Sequence, residues 1–267
     1  MDLSALFAAL LMGVVEGLTE FLPISSTGHL ILLGEVIGFQ GPPGRVFEIS
    51  IQLGAILAVV VVFWRDLIRI LLGMWKPRTP ERYVAEGVVL AFLPAAVIGA
   101  TLHGTITRLL FSPLVVAVAL VIGGLIIIWI ERRHREPTIR SVAEIGPTSA
   151  LMIGFGQALA MIPGTSRSGA TIIVALLIGV ERRAAAEFSF LLAIPTMLAA
   201  TAFSLFKARN EIDVSGFGQI LVGFAAAFVV ALLIVRWLLS AISRIGFTPF
   251  GWYRVVLGGV ILVALLV

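Results

Sequence analysis

Residues 113–130 run for eighteen positions without a charge, and five other stretches, near 47–64, 84–102, 187–206, 216–240 and 248–267, carry one charge each. About 20 apolar residues in a helix are enough to cross the hydrocarbon of a bilayer. These six stretches are therefore expected to be transmembrane helices. Helices are required because backbone groups in lipid must find their partners within the segment, and a barrel is excluded because the runs do not alternate. Charged residues make up only 13% of the 267 positions, about half of what a soluble chain carries. The expected fold is an all-α polytopic membrane protein forming a single membrane domain over 1–267.

Two further apolar stretches, near 5–37 and 148–180, are broken in the middle by polar sequence. The first break reads Glu16-Gly-Leu-Thr-Glu20-Phe-Leu-Pro23-Ile-Ser25-Ser26-Thr27-Gly28-His29. The second runs from Gln157 through Pro163-Gly164-Thr165-Ser166-Arg167-Ser168-Gly169 to Thr171. A helix does not pass smoothly through proline followed by glycine and clustered hydroxyls. Both stretches are expected to be re-entrant helical hairpins that dip into the membrane and return. Non-helical backbone at that depth is tolerated only where protein or water covers it.

Sliding the sequence by 141 residues lays Ser25-Ser26-Thr27-Gly28 on Ser166-Arg167-Ser168-Gly169, Glu16 on Gln157 and Phe47 on Phe188. With a small shift, Val121-Ile-Gly-Gly-Leu-Ile matches Val256-Leu-Gly-Gly-Val-Ile. Each half, about 1–140 and 141–267, then holds one hairpin and three spans. An odd number of spans turns the second copy over, giving an inverted-topology internal repeat of the kind transporters use.

Basic residues cluster in the loops at 65–82 and 131–147 and at Arg182-Arg183. Placing these clusters inside puts 38–46, 103–112, 207–215 and both termini outside. The first hairpin then enters from outside and the second from inside, so that their polar tips meet near the midplane. The +4 net charge belongs to these loops and gives no reason to expect nucleic acid. No cysteine is present, which excludes disulfides and thiolate metal sites.

Ionisable groups at membrane depth are costly and usually mark a site. Glu16 and Glu20 are four apart and share a helix face. Two close carboxylates in apolar surroundings call for a divalent cation, a partner arginine or a shared proton. A hard cation with oxygen ligands, bridging to phosphate, fits best. Ser25, Ser26, Thr27 and Gly28 open the return helix, where free N–H groups and hydroxyls suit an anion. Capping would explain one hydroxyl there, not three.

His29, three and four residues beyond Ser26 and Ser25, could act on either serine as acid or base. Spacing alone does not choose between the two. Arg167, among Thr165, Ser166 and Ser168, offers a planar cation to a phosphoryl group or a counterion to the two acids. Glu48, Gln52 and Glu187, at the starts of spans, are expected around the site rather than in it. Arg254, beside Trp252 and Tyr253, is expected to be a membrane-interface anchor.

The motifs at 16–29 and 163–171 resemble the two signatures of the bacterial undecaprenyl-diphosphate phosphatases of the bacitracin-resistance type. The resemblance extends to Phe47-Glu48, Ile51-Gln52-Leu53-Gly54 and Glu187-Phe-Ser-Phe-Leu-Leu-Ala. It implies an integral enzyme of the bacterial plasma (inner) membrane that hydrolyses undecaprenyl diphosphate to the monophosphate at the outer face. Such an enzyme recycles the lipid carrier of cell-wall synthesis and confers bacitracin resistance.

By the same resemblance the enzyme uses a divalent cation (Mg or Ca), with Glu16 and Glu20 as the acidic pair that holds it. Glu20, Ser26, His29 and Arg167 are then catalytic, with Ser26 the favoured nucleophile against activated water. Ser25, Thr27, Gly28, Thr165, Ser166 and Ser168 bind substrate. The expected partners are the polyprenyl diphosphate and membrane lipids, and there is room for a homodimer. The rival reading is a transporter or flippase of a phosphorylated lipid, which the inverted halves would suit. Serine, histidine and paired glutamates favour chemistry over transport.

Overall fold

Proline sets several helix starts in this chain, standing at or within two residues of the N-terminus where its missing N–H is no loss. Pro80, Pro113, Pro147 and Pro249 each do so in the computed structural model of the protein. The structure describes residues 3–39, 41, 46–110, 112–133, 136–208 and 216–266. The helices are α1 (Leu3–Thr19), α2 (Ser26–Ile37), α3 (Val46–Val62), α4 (Trp64–Gly73), α5 (Pro80–Leu110) and α6 (Pro113–Arg132). A 3-10 turn at Val142–Glu144 leads to α7 (Pro147–Leu159), α8 (Arg167–Leu177), α9 (Arg182–Ala208), α10 (Phe217–Ile245) and α11 (Thr248–Ala264). Among the described residues the only β-type pairing is an isolated bridge between Ile139 and Val180.

The chain is a multi-pass membrane protein. Four described helices, α5, α6, α9 and α10, are long and apolar enough to cross a bilayer. Helix α3 continues into α4 across a 72° bend, and the pair, taken as one span, would make a fifth. Helix α11, with 17 residues, is shorter. Two expected loops differ from the sequence reading. Helix α4 occupies much of 65–82, and α5 runs on to Leu110 through the expected outer loop at 103–112. After Pro94 no further proline interrupts this stretch before Pro113, and the helix runs on through Gly99 and Gly104. Positions 40 and 42–45 of the loop at 38–46, His134 and Arg135, and 209–215 of the loop at 207–215 lie outside the described residues.

Helices α1 and α7 each end at a polar break and are followed by a return helix, α2 or α8. Their packing partners are exchanged between halves. Helix α1 lies along α10, α7 lies along α5, α6 pairs with α11, and α3 meets α9. Backbones approach closely where glycine removes the side chain, which drives packing between helices in lipid. A Cβ at Gly17 would stand 2.7 Å from the Ala227 carbonyl oxygen, and one at Gly154 would stand 2.5 Å from that of Ala91. The main core gathers where these pairs converge. There Phe21, just after α1, packs edge-on against Phe190 of α9 at 5.5 Å, beneath the first polar break.

Candidate active site

Each polar break turns through a serine that adopts a left-handed backbone, Ser25 at φ 72° and Ser166 at φ 71°. A non-glycine residue there stores strain of order 1–3 kcal/mol, and such strain clusters at functional sites. The turn aims the start of the return helix, Ser26 in one case and Arg167 in the other, back into the protein. The two helix starts are not equivalent. Ser166 caps its own helix by accepting from Gly169 N at 3.1 Å. Ser25 makes no such side-chain cap, so the N-terminus of α2 has no Ser25 hydroxyl bonded to it.

The two breaks meet. Ser26 Oγ donates to Glu20 Oε2 at 2.5 Å, and Arg167 Nη2 donates to Glu20 Oε1 at 3.4 Å. The Glu20 side chain is 6% exposed and that of Arg167 12%, so this ion pair is shielded from solvent screening. Arg167 Nη1 donates to the Ser189 carbonyl at 3.1 Å, and its guanidinium lies 5.8 Å from the Phe21 ring centroid. Ser168 Oγ donates to the Leu22 carbonyl at 2.9 Å, tying the second break to the first. Glu16 is buried one helical turn before Glu20, within the electrostatic reach of Glu20 and Arg167.

Buried polar groups are nearly always paired, so the exceptions are informative. Among the described residues four buried side-chain atoms lack a partner: Glu16 Oε2, Gln157 Nε2, Arg167 Nε and Thr201 Oγ1. The first three belong to the two polar stretches. An acceptor and two donors without partners suit a ligand carrying both charge and oxygen atoms.

Beside this cluster opens a cavity of about 450 Å³. Its polar end is formed by Glu20, Ser25, Ser26, Thr27, Ser166 and Arg167. Its walls are mostly apolar, from α5, α9 and the second break, and include Phe92, Met161 and Phe203. Gly28, His29, Thr165 and Ser168 do not line it, nor does Glu16. Gly28 instead faces Val116, and the Thr165 carbonyl is turned away to accept from Arg254. Of the residues expected around the site, Gln52 lines the cavity. Glu187 pairs with Arg183 at 2.9 Å, and Glu48 is exposed in the first turn of α3.

His29 bonds outside this cluster. Its Nδ1 is 2.7 Å from the Ser25 carbonyl and its Nε2 is 2.7 Å from the Tyr253 hydroxyl. A carbonyl only accepts, so Nδ1 carries the proton, and the neutral ring then accepts at Nε2 from tyrosine. The Ser26 hydroxyl is thus hydrogen-bonded to Glu20, while both ring nitrogens of His29 have other partners.

Arg254 differs most from its expected role. It is fully buried rather than presented at the protein surface, and all its donor nitrogens meet main-chain carbonyls. Nη1 donates to Pro23 at 3.0 Å and to Thr165 at 2.9 Å. Nη2 donates to Ala119 at 3.0 Å and to Gly164 at 3.1 Å, and Nε donates to Leu120 at 3.3 Å. Gln157, which lines the cavity, is a residue to which the sequence reading gave no role in the site. Alignment of Gln157 on Glu16 at the 141-residue offset was the one available signal for the glutamine.

Comparison with known proteins agrees over almost the whole chain. The sequence model of a family described as bacitracin resistance protein BacA matches residues 9–260. Undecaprenyl-diphosphatase 2 of Paramagnetospirillum magneticum is 53% identical over 258 residues, covering 97% of this chain and 98% of that protein. Undecaprenyl-diphosphatase of Cereibacter sphaeroides is 50% identical, covering 98% of each. Undecaprenyl-diphosphatase 1 of Mesorhizobium japonicum is 50% identical, covering 100% of this chain and 99% of that protein.

Proposed function

The chain belongs to the bacitracin resistance protein BacA family, and from that premise we propose that it is an undecaprenyl-diphosphatase. It releases inorganic phosphate from undecaprenyl diphosphate and leaves the monophosphate carrier for cell-wall synthesis. The observation that carries this reading is the Ser26–Glu20–Arg167 cluster at the head of an apolar cavity. A charged head with a long hydrocarbon tail needs that combination. Transport of the lipid would require no hydroxyl held against a carboxylate, so the contact favours chemistry.

Ser26 Oγ attacks the terminal phosphorus as Glu20 Oε2 accepts its proton. The new Oγ–P bond forms as the anhydride P–O bond breaks, and the lipid monophosphate departs with the proton that Glu20 had taken, which leaves the carboxylate free again. Water then cleaves the phosphoserine, with the same carboxylate taking its proton, and releases phosphate. Arg167, with Nε still unpartnered, meets the charge that builds on the phosphoryl oxygens. His29 holds the Ser25 carbonyl and so the strained turn that presents Ser26.

The residues fit a divalent cation such as Mg or Ca. Glu16 Oε2 is a buried carboxylate oxygen without a partner beside a second acid, and the donors are all hard oxygens. Among the described residues no third His, Asp, Glu or Cys joins them, so substrate and water would complete the shell. When bound, a cation there neutralises part of the diphosphate charge.

The architecture we propose is six spans and two re-entrant hairpins in inverted halves, with the site open to the outer face of the bacterial inner membrane. Support comes from Ser25 and Ser166, equivalent at the 141-residue offset and alike in φ, and from the exchange of helix partners between halves. The cytoplasmic side is assigned from the basic residues around α4, the α6–α7 connection and the start of α9. Every residue of the cluster comes from one chain, so a homodimer, if formed, is not needed to complete it.

The deciding experiment is phosphate release from undecaprenyl diphosphate by purified protein, with and without chelator, for the wild type and Ser26→Ala. Release that requires added Mg or Ca and is lost in Ser26→Ala supports the scheme. Release that survives the substitution replaces serine by water activated at Glu20. A wild type that releases nothing removes the phosphatase reading.

A further inference from the structure

Arginine has five N–H donors in a rigid plane, and in Arg254 every donor atom is engaged by main-chain carbonyls from three separate segments. One nitrogen, Nη1, bonds both Pro23 of the first turn and Thr165 of the second. Ser26 follows Pro23 by three residues and Arg167 follows Thr165 by two. The separation of the two turns is thus set at a single atom, close along the chain to both groups that meet at Glu20. Ala119 and Leu120 of α6 fix the plane of the guanidinium from behind.

We propose that Arg254 is a positioning residue for the reaction, holding the two turns at the spacing that brings Ser26, Glu20 and Arg167 together. The proposal rests on the phosphatase reading above. Arg254 does not line the cavity, so it acts on the reacting groups only through the backbone.

Glycines make room for it. A Cβ at Gly169 would lie 2.9 Å from Nη1, and one at Gly123 would overlap the guanidinium itself. At Gly123 the three nearest atoms are all from Arg254. Alanine within a helix is otherwise favoured over glycine, so Gly123→Ala displaces the guanidinium with little other reason to disturb the fold. Lysine at 254 keeps the charge, but three donors on one nitrogen cannot span carbonyls arranged for a planar fork.

The test measures kcat and KM for phosphate release from undecaprenyl diphosphate, together with Tm, for purified wild type, Arg254→Lys, Gly123→Ala and Gly259→Ala. The last is a control, since a Cβ at Gly259 meets nothing within 4 Å. A displacement of about 1 Å at reacting groups lowers turnover about 100-fold. The expected result is a kcat lowered at least about tenfold in both Arg254→Lys and Gly123→Ala, with KM within about threefold of wild type. Gly259→Ala should match the wild type. A merely structural role would lower Tm and yield while the folded fraction kept its kcat, and that result overturns the proposal. So does a loss confined to KM. If Arg254→Lys does not fold, Gly123→Ala decides alone. A wild type without activity removes the phosphatase reading and this inference with it, whereas active variants beside an active wild type remove the inference only.

Discussion

Ser26 and Arg167 divide the Glu20 carboxylate between them, the hydroxyl on Oε2 at 2.5 Å and the guanidinium on Oε1 at 3.4 Å. One glutamate therefore receives the proton of the nucleophile and anchors the cation that meets the phosphate. Glu20→Gln keeps the shape but removes the base. The expected loss in kcat is about 10²–10⁴-fold, the range for general-base catalysis. Phosphate release by a folded Glu20→Gln protein at near-normal rate would take Glu20 out of the chemistry.

Arg167→Lys retains the positive charge, but one ammonium nitrogen does not reproduce the planar fork in which Nη1 and Nη2 donate to the Ser189 carbonyl and Glu20 while Nε stays open. Turnover is expected to fall by about 100-fold or more, as for removal of one donor that stabilises developing charge. Steady-state kinetics on the purified variant check this, and a lysine enzyme of ordinary kcat contradicts it.

His29 is expected to tolerate a side chain that preserves its bond to Ser25. In His29→Asn an amide nitrogen can stand in for Nδ1–H. Turnover should remain within about tenfold of the wild type, with the shape of the pH–rate profile unchanged. An acid–base role instead predicts a loss of about 10²–10⁴-fold and a missing limb in the profile. Tyr253→Phe removes only the outer hydrogen bond and should change kcat by less than about threefold.

Gly17→Val tests the packing beneath the site. Its Cβ would press on the Ala227 carbonyl and Ala231 of α10, both main chain at under 3.0 Å. Overpacking of this kind costs about 1–3 kcal/mol. A drop in Tm of the detergent-solubilised protein is the expected readout, and an unchanged Tm would mean that α1 and α10 separate freely.

The two polar breaks are legible in the sequence because charge at membrane depth stands out, and the 141-residue offset links them. The contact between Ser26 and Glu20 is not. Helical spacing singles out residues three or four apart, which favoured His29, whereas Glu20 and Ser26 are joined across a turn where helical periodicity does not hold. Arg254 was misread for a related reason. An arginine beside tryptophan and tyrosine near a helix start has the local signature of an interface anchor. Its actual partners are carbonyls at 23, 119, 120, 164 and 165, and carbonyls are present at every residue, so no side-chain pattern marks them. Ser189 likewise acquires meaning only once α9 is packed against α8, where its carbonyl accepts from Arg167.

The order in which a ribosome makes this chain gives the Arg254 cage a temporal meaning. Both turns are synthesised well before α11, and until that helix arrives their carbonyls have no common donor. In a half-inserted chain the two turns are thus unlatched, and α11 fastens them to each other only as it packs into place.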